Sequence, residues 1–168
     1  DRHQAPKVSR TVKPKSTTHF GEQLGFDVIE MQLSDGTKIS GLNMLDVHTT
    51  FQVVWPLFKE AHLVTSDDLL IAYELGWAHW AQHPESVRCD AGLHFRALFE
   101  KFFKSLGVPI APTAGEAHWQ NGDVEVAGRV WKRCFEKIVK DHSIGKKDQH
   151  SCTLAFTGAT RAHNSRTR

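Results

Sequence analysis

Three carboxylates stand where one fold could bring them to a single point. Asp27 is the odd polar residue in a stretch of strand formers, Gly-Phe-Asp-Val-Ile-Glu-Met-Gln-Leu at 25–33. Asp90 closes a short apolar run in Ser-Val-Arg-Cys-Asp-Ala-Gly at 86–92. Glu125 follows Gln-Asn-Gly and opens a long amphipathic segment. Carboxylates that converge at a sheet edge hold hard divalent cations, which favour oxygen ligands. Two such cations held close together stabilise the attacking and leaving oxygens of a phosphodiester displacement. The chemistry on offer is the metal-assisted cutting or joining of nucleic acid strands.

Each carboxylate also has a plainer reading. An Asp in a strand often pairs with a basic neighbour. Asp90 precedes a glycine-containing turn, where Asp is a common turn residue. Glu125 could be a first-turn acid favoured by the helix dipole. Glu30, Asp46, Glu116 and Asp123 offer the same functional group nearby. The residues alone do not choose among these acids.

The elements that must position them follow from periodicity. Residues 25–33 suit an inner strand, with apolar residues on both faces. Ser34-Asp35-Gly36 is a hairpin turn signal. Strands at 38–47 and 51–57 complete an antiparallel meander. Thr65, with Asp68 three residues on, is a capping box that starts a helix. In it Leu69, Tyr73, Trp77 and Trp80 recur at helical spacing, and Pro84 ends the segment. A strand at 86–89 delivers Asp90. Phe95, Leu98, Phe99, Phe102, Phe103 and Leu106 make one face of the next helix, with Gly107 as its stop. A short strand at 108–111, a loop at 112–122 and a helix at 123–140 follow. The stripe of that helix is Val124, Ala127, Gly128, Trp131, Phe135, Ile138 and Val139. One more helix runs through Cys152, Ala155, Phe156 and Ala159, although Gly158 and the threonines disfavour it. The order β-β-β-α-β-α-β-α implies a mixed sheet covered by helices. Ligands of such sheets sit beyond strand ends, where connections diverge.

With 168 residues the chain is one domain with tails, and 40% hydrophobic content supports a core. A net charge of +2 is too small to argue for nucleic acid, but its distribution is uneven. Residues 2–15 carry Arg2, Lys7, Arg10, Lys13 and Lys15, and the last third is basic again. Such tails and faces meet phosphate or simply solvent. Cys89, Cys134 and Cys152 show no paired spacing, which fits a reducing compartment and gives no complete zinc site. No apolar run is long enough to span a membrane, and none reads as a signal peptide. The first residue is not Met, and the expectation is a piece of a longer polypeptide.

The motifs from Phe20 to His142 resemble the catalytic core of retroviral and retrotransposon integrases, the Asp-Asp-Glu family with a ribonuclease-H-like fold. Phe26-Asp27-Val28-Ile29 resembles the family's first-strand Asp. Leu45-Asp46-Val47-His48-Thr49-Thr50-Phe51 is similar to its hairpin, whose Asp is structural. Cys89-Asp90-Ala91-Gly92-Leu93-His94-Phe95 is similar to its Asp-Asn-Gly-x-Glu-Phe. Gly107-Val108 is similar to its Gly-Ile step. His118-Trp119-Gln120-Asn121-Gly122-Asp123-Val124-Glu125 is similar to its Pro-x-x-Asn-Gly-x-x-Glu. The chain departs from the pattern at Ala91 and His94, and at Val126, where a basic residue is usual.

The resemblance implies an α/β, ribonuclease-H-like mixed five-stranded sheet, three antiparallel strands then two parallel, flanked by helices. It divides the chain into a basic arm at 1–19, the core at 20–142 and a helical extension at 143–168, truncated. It selects Asp27, Asp90 and Glu125 as catalytic and as ligands of Mg²⁺ or Mn²⁺, two ions. It implies DNA 3′-end processing and strand transfer. His118, Gln120, Asn121, Arg129, Lys132 and Arg133, with Lys140, would touch DNA. The partners would be element ends and target DNA, in a homo-oligomer without membrane contact. The location would be the nucleus, or the cytoplasm as part of a polyprotein. The alternatives are a ribonuclease-H-type nuclease and a decayed or domesticated DNA-binding or assembly module.

Overall fold

The computed structural model describes residues 16–89, 96–111 and 122–166. The meander forms as the turn chemistry requires. Strand β1 (Gln23–Gln32) pairs antiparallel with β2 (Lys38–Asp46), and β2 pairs antiparallel with β3 (Gln52–Pro56). Asp35 closes the first turn by accepting from the Thr37 amide at 3.0 Å. Asp46 closes the second. Its Oδ1 accepts from the amide and hydroxyl of Thr49 at 2.8 and 2.7 Å, and its Oδ2 accepts from the Gly21 amide at 2.8 Å. A buried carboxylate so fully occupied is a structural one, as the resemblance implies for Asp46.

Helix α1 (Ser66–Tyr73) begins at the expected capping box, with Thr65 and Asp68 satisfying each other's backbone amides. The chain then widens into one π-helical turn, Glu74–Ala78, before the short α2 (His79–Ala81). Leu69, Tyr73 and Trp77 are buried, as their spacing predicts, while Trp80 is exposed past the wide turn. Strand β4 (Ser86–Cys89) pairs parallel with β1, with Phe26 opposite Cys89. Helix α3 (Arg96–Ser105) buries Phe99 and Phe103 and leaves Leu98 exposed, and Leu106 just past its end is exposed too.

The expected fifth strand is not formed among the described residues. At 108–111 there is one parallel bridge, Val87 to Ile110, and the sheet has four strands in the order β3-β2-β1-β4. The Val87 amide donates to Pro109 O at 3.0 Å, and the Ala111 amide donates to Val87 O at 2.8 Å. Pro109 has no N–H with which to extend the ladder.

Helix α4 (Gly122–Asp141) buries Val124, Ala127, Gly128, Trp131, Phe135 and Val139. Helix α5 (Gln149–Arg166) is continuous through Gly158 and buries Cys152, Ala155, Phe156 and Ala159. Burial outweighs its weak local propensity, because Phe156 meets Trp131 and Phe135 with ring centroids 5.1 and 4.8 Å apart. Burial also pushes the Cys152 thiol up to about 11, so it is a packing group.

The sheet separates two apolar layers. Leu24, Phe26, Leu42, Met44, Val87 and Cys89 face α1 and α3. Ile29, Met31, Ile39 and Val54 face α4 and α5. No described helix is long and apolar enough to cross a membrane.

Candidate active site

Asp27 lies on β1, the strand between β2 and β4, as expected of the first strand. Side chains alternate along a strand, so Asp27 shares a face with Gly25 and Ile29. That face belongs to α4. A Cβ added to Gly25 would lie 2.3 Å from Val124 Cγ2. A Cβ added to Gly128 would lie 3.1 Å from Ile29 Cδ1 and 3.1 Å from Asn43 Nδ2. The two glycines let helix and strand approach to near contact. The turn from Val124 to Gly128 therefore runs over the stretch of β1 that carries the half-buried Asp27.

Glu125 is in that turn, next to the buried Val124, and is itself exposed. The start of the helix is fixed from two further directions. Asn43, opposite Asp27 in the β1–β2 register, donates from Nδ2 to Val124 O at 3.1 Å. Arg88 of β4 places one guanidinium nitrogen 2.6 and 2.8 Å from the two carboxylate oxygens of Asp123. Arg88 is nearly buried, so the pair clamps α4 to β4. Asp123, a rival of Glu125 by sequence, is thereby committed to structure. Glu30 is committed too. The Ala61 amide, donating at 3.0 Å, and Lys38 hold its carboxyl below the usual range.

Strand β4 ends at Cys89, level with Phe26. Asp90 lies outside the described residues, as do His118, Gln120, Asn121 and the rival Glu116. Among the described residues no group of three or more His, Cys, Asp or Glu is placed to hold a metal ion. Two members of the expected triad are thus positioned on one side of the sheet, and the third falls in a segment beyond description.

The outer face of α4 carries the expected cations. Arg129, Arg133 and Lys140 are exposed. Lys132 is half-buried, with its Nζ 3.8 Å from Glu136 Oε1. Gly25, Asn43 and Arg88, none of them a site candidate by sequence, set the position of Glu125 together with Gly128 of the expected buried stripe. One signal was visible: Asn43 is a lone amide within the apolar run Leu-Asn-Met-Leu of β2.

No family model and no curated protein matches the chain. Solved structures do. The HTLV-2 integrase catalytic core domain in complex with magnesium, in its trimeric form, is similar with a TM-score of 0.61. Identity is 17%, over 81% of this chain and 82% of that one. Its dimeric form is similar with a TM-score of 0.60 at 16% identity, over 81% and 83% of the two chains. The simian T-cell lymphotropic virus intasome in complex with a PP2A regulatory subunit contains a chain with a TM-score of 0.69 at 14% identity. That match covers 84% of this chain and 49% of the intasome chain, so this chain spans about half of its length. The fold is that of integrase catalytic cores.

Proposed function

We propose that this chain is a polynucleotidyl transferase core that processes DNA 3′ ends and joins them to a target strand, as an integrase does. The observation that supports this best is the seating of one turn of α4 over the Asp27 stretch of β1, beside the end of β4. Asp90 follows Cys89, the last residue of β4, directly in sequence.

The donor set fits a hard divalent cation. Asp27 and Glu125 offer carboxylate oxygens, and the exposure of Glu125 leaves room for water and phosphate. Asp27, Asp90 and Glu125 would hold Mg²⁺ or Mn²⁺, two ions in the complete site. When bound, the ions supply Lewis acidity to the phosphodiester and offset its charge. The protein's part is position. Asp27 sits on a central strand, and Glu125 is fixed by the contacts of Val124 and Asp123 rather than by a loop. Water would attack a phosphodiester near the DNA 3′ end, breaking its P–O3′ bond to free a 3′ hydroxyl and release the terminal nucleotides with the phosphate. That hydroxyl would then attack a target phosphodiester and displace its bridging 3′ oxygen. No covalent protein–DNA intermediate is required.

His118, Gln120 and Asn121 would lie beside the ends, and Arg129, Lys132, Arg133 and Lys140 along the phosphates. Such contacts position DNA and read little sequence. Action as a homo-oligomer, in the nucleus or in the cytoplasm as part of a polyprotein, belongs to the same proposal. Lys132→Ala should weaken DNA binding and lower the slope of log K against log salt by about 1. Its surface pair with Glu136 is worth little and will not mask the effect. An unchanged slope removes Lys132 from the DNA face.

The proposal is tested with a branched DNA that reports the reverse of strand transfer. The chain should resolve it in Mg²⁺ or Mn²⁺, be silent in EDTA, and take up Mn²⁺ in calorimetry. A folded chain that binds DNA but neither takes up metal nor turns over would instead be a binding or assembly module.

A further inference from the structure

Two buried amides join the far edge of the sheet to the start of α4. Asn43 and Gln52 have no exposed surface. Gln52 Nε2 donates to Asn43 Oδ1 at 2.7 Å, and Asn43 Nδ2 donates to Val124 O at 3.1 Å. On β3, the Gln52 backbone is held in turn by Asn164 of α5. Asn164 Oδ1 accepts from the Gln52 amide and its Nδ2 donates to Gln52 O, both at 2.9 Å. The line runs α5, β3, β2, α4 and ends one residue before Glu125. Gly128 makes it possible, because a side chain there would crowd Asn43 Nδ2 at 3.1 Å.

We propose that Asn43, held by Gln52, is a positioning residue that sets Glu125 against Asp27. The inference rests on reading Asp27, Asp90 and Glu125 as one site. A stability role explains the pair poorly. Gln52 Oε1 is buried and has no hydrogen-bond partner among the described residues, so the pair is costly to bury. Apolar residues of similar size would fill the same space without that cost. What they could not do is hold the Val124 carbonyl at a fixed point. That carbonyl is part of the backbone leading to Glu125, so its position is the helix's height and rotation over Asp27.

The test uses Asn43→Leu, Gln52→Leu and the double variant. The readouts are melting temperature, DNA dissociation constant, turnover on the branched DNA and Mn²⁺ affinity. The single variants leave one amide unpaired and should melt lower. The double variant removes both and should melt at or above the parent. Asn43→Leu and the double variant should both turn over about 10²-fold more slowly, the size of loss that small misplacements produce. Both should bind Mn²⁺ more weakly, with DNA affinity unchanged. A double variant that regains parental turnover and Mn²⁺ affinity with its stability makes the amides mere packing, and the inference is wrong. A parent chain without turnover or Mn²⁺ uptake overturns the site reading itself, and the relay with it. Should Asn43→Leu fail to fold, the double variant alone decides.

Discussion

Glu125→Gln is expected to slow turnover on branched DNA by about 10³-fold or more while leaving the melting temperature where it was. The loss corresponds to roughly 4 kcal/mol of barrier, the size expected of the proposed metal-ligand role. Stability should hold because Glu125 is exposed, and exposed substitutions usually change it by less than about 0.5 kcal/mol. Asp123→Asn, two residues earlier, should do the reverse. It weakens the clamp on Arg88, whose buried Nε has no partner among the described residues. Breaking a fully buried pair costs about 3–5 kcal/mol, and the partial exposure of Asp123 brings the expected loss to about 1–3 kcal/mol. Turnover per folded molecule should fall only modestly. The two acids are equivalent by residue type, so this crossed result separates chemistry from structure within one helical turn. Equal turnover losses in the two variants, or none for Glu125→Gln, would remove Glu125 from the site.

What the sequence revealed and what it withheld divide along a physical line. Features set by a few neighbouring residues were legible. The Thr65–Asp68 capping box, the Ser34-Asp35-Gly36 turn and the bounds of β4 need only local geometry. The buried stripe of α4 needs only a period, and each residue of that stripe is buried except Ile138, which is half-buried beside Gly158 of α5. Features set by contact across the sheet were not legible. Nothing near Gly25 in sequence says that Val124 will rest on it, 99 positions away. Nothing near Asp123 says that Arg88 will claim it. The choice of Glu125 over Asp123 came from a motif; the ion pair shows only that Asp123 is engaged with Arg88. The fifth strand shows the limit of pattern reading from the other side. Val108 to Ala111 has strand composition, yet it forms one bridge, because a ladder needs a partner and donors in register. The wide turn at Glu74–Ala78 left no signal in the spacing, since Trp77 still reaches the core.

Gly25→Ala is expected to damage both the fold and the proposed site. The new Cβ would stand 2.3 Å from Val124 Cγ2, well inside contact distance. Val124 is fully buried, so its methyl cannot swing into solvent. Either its rotamer is forced or the start of α4 lifts off β1, and overpacking of this kind costs about 1–3 kcal/mol. Lifting has a second consequence. The Asn43 bond to Val124 O and the Asp123 clamp on Arg88 both depend on that approach, so they would lengthen together. The melting temperature should therefore fall by several degrees, and turnover per folded molecule should drop by at least about 10²-fold, as misplacement of a catalytic group does. Val124→Ala in the same chain removes the obstructing Cγ atoms. The Gly25→Ala/Val124→Ala pair should recover much of both losses, because the methyl gained on the strand fills part of the space vacated on the helix. Full activity in Gly25→Ala alone would mean that the close approach of α4 to β1 does not set the site. Recovery of stability without activity would place the requirement in Val124 itself, as the side chain that fixes the rotation of the turn carrying Glu125.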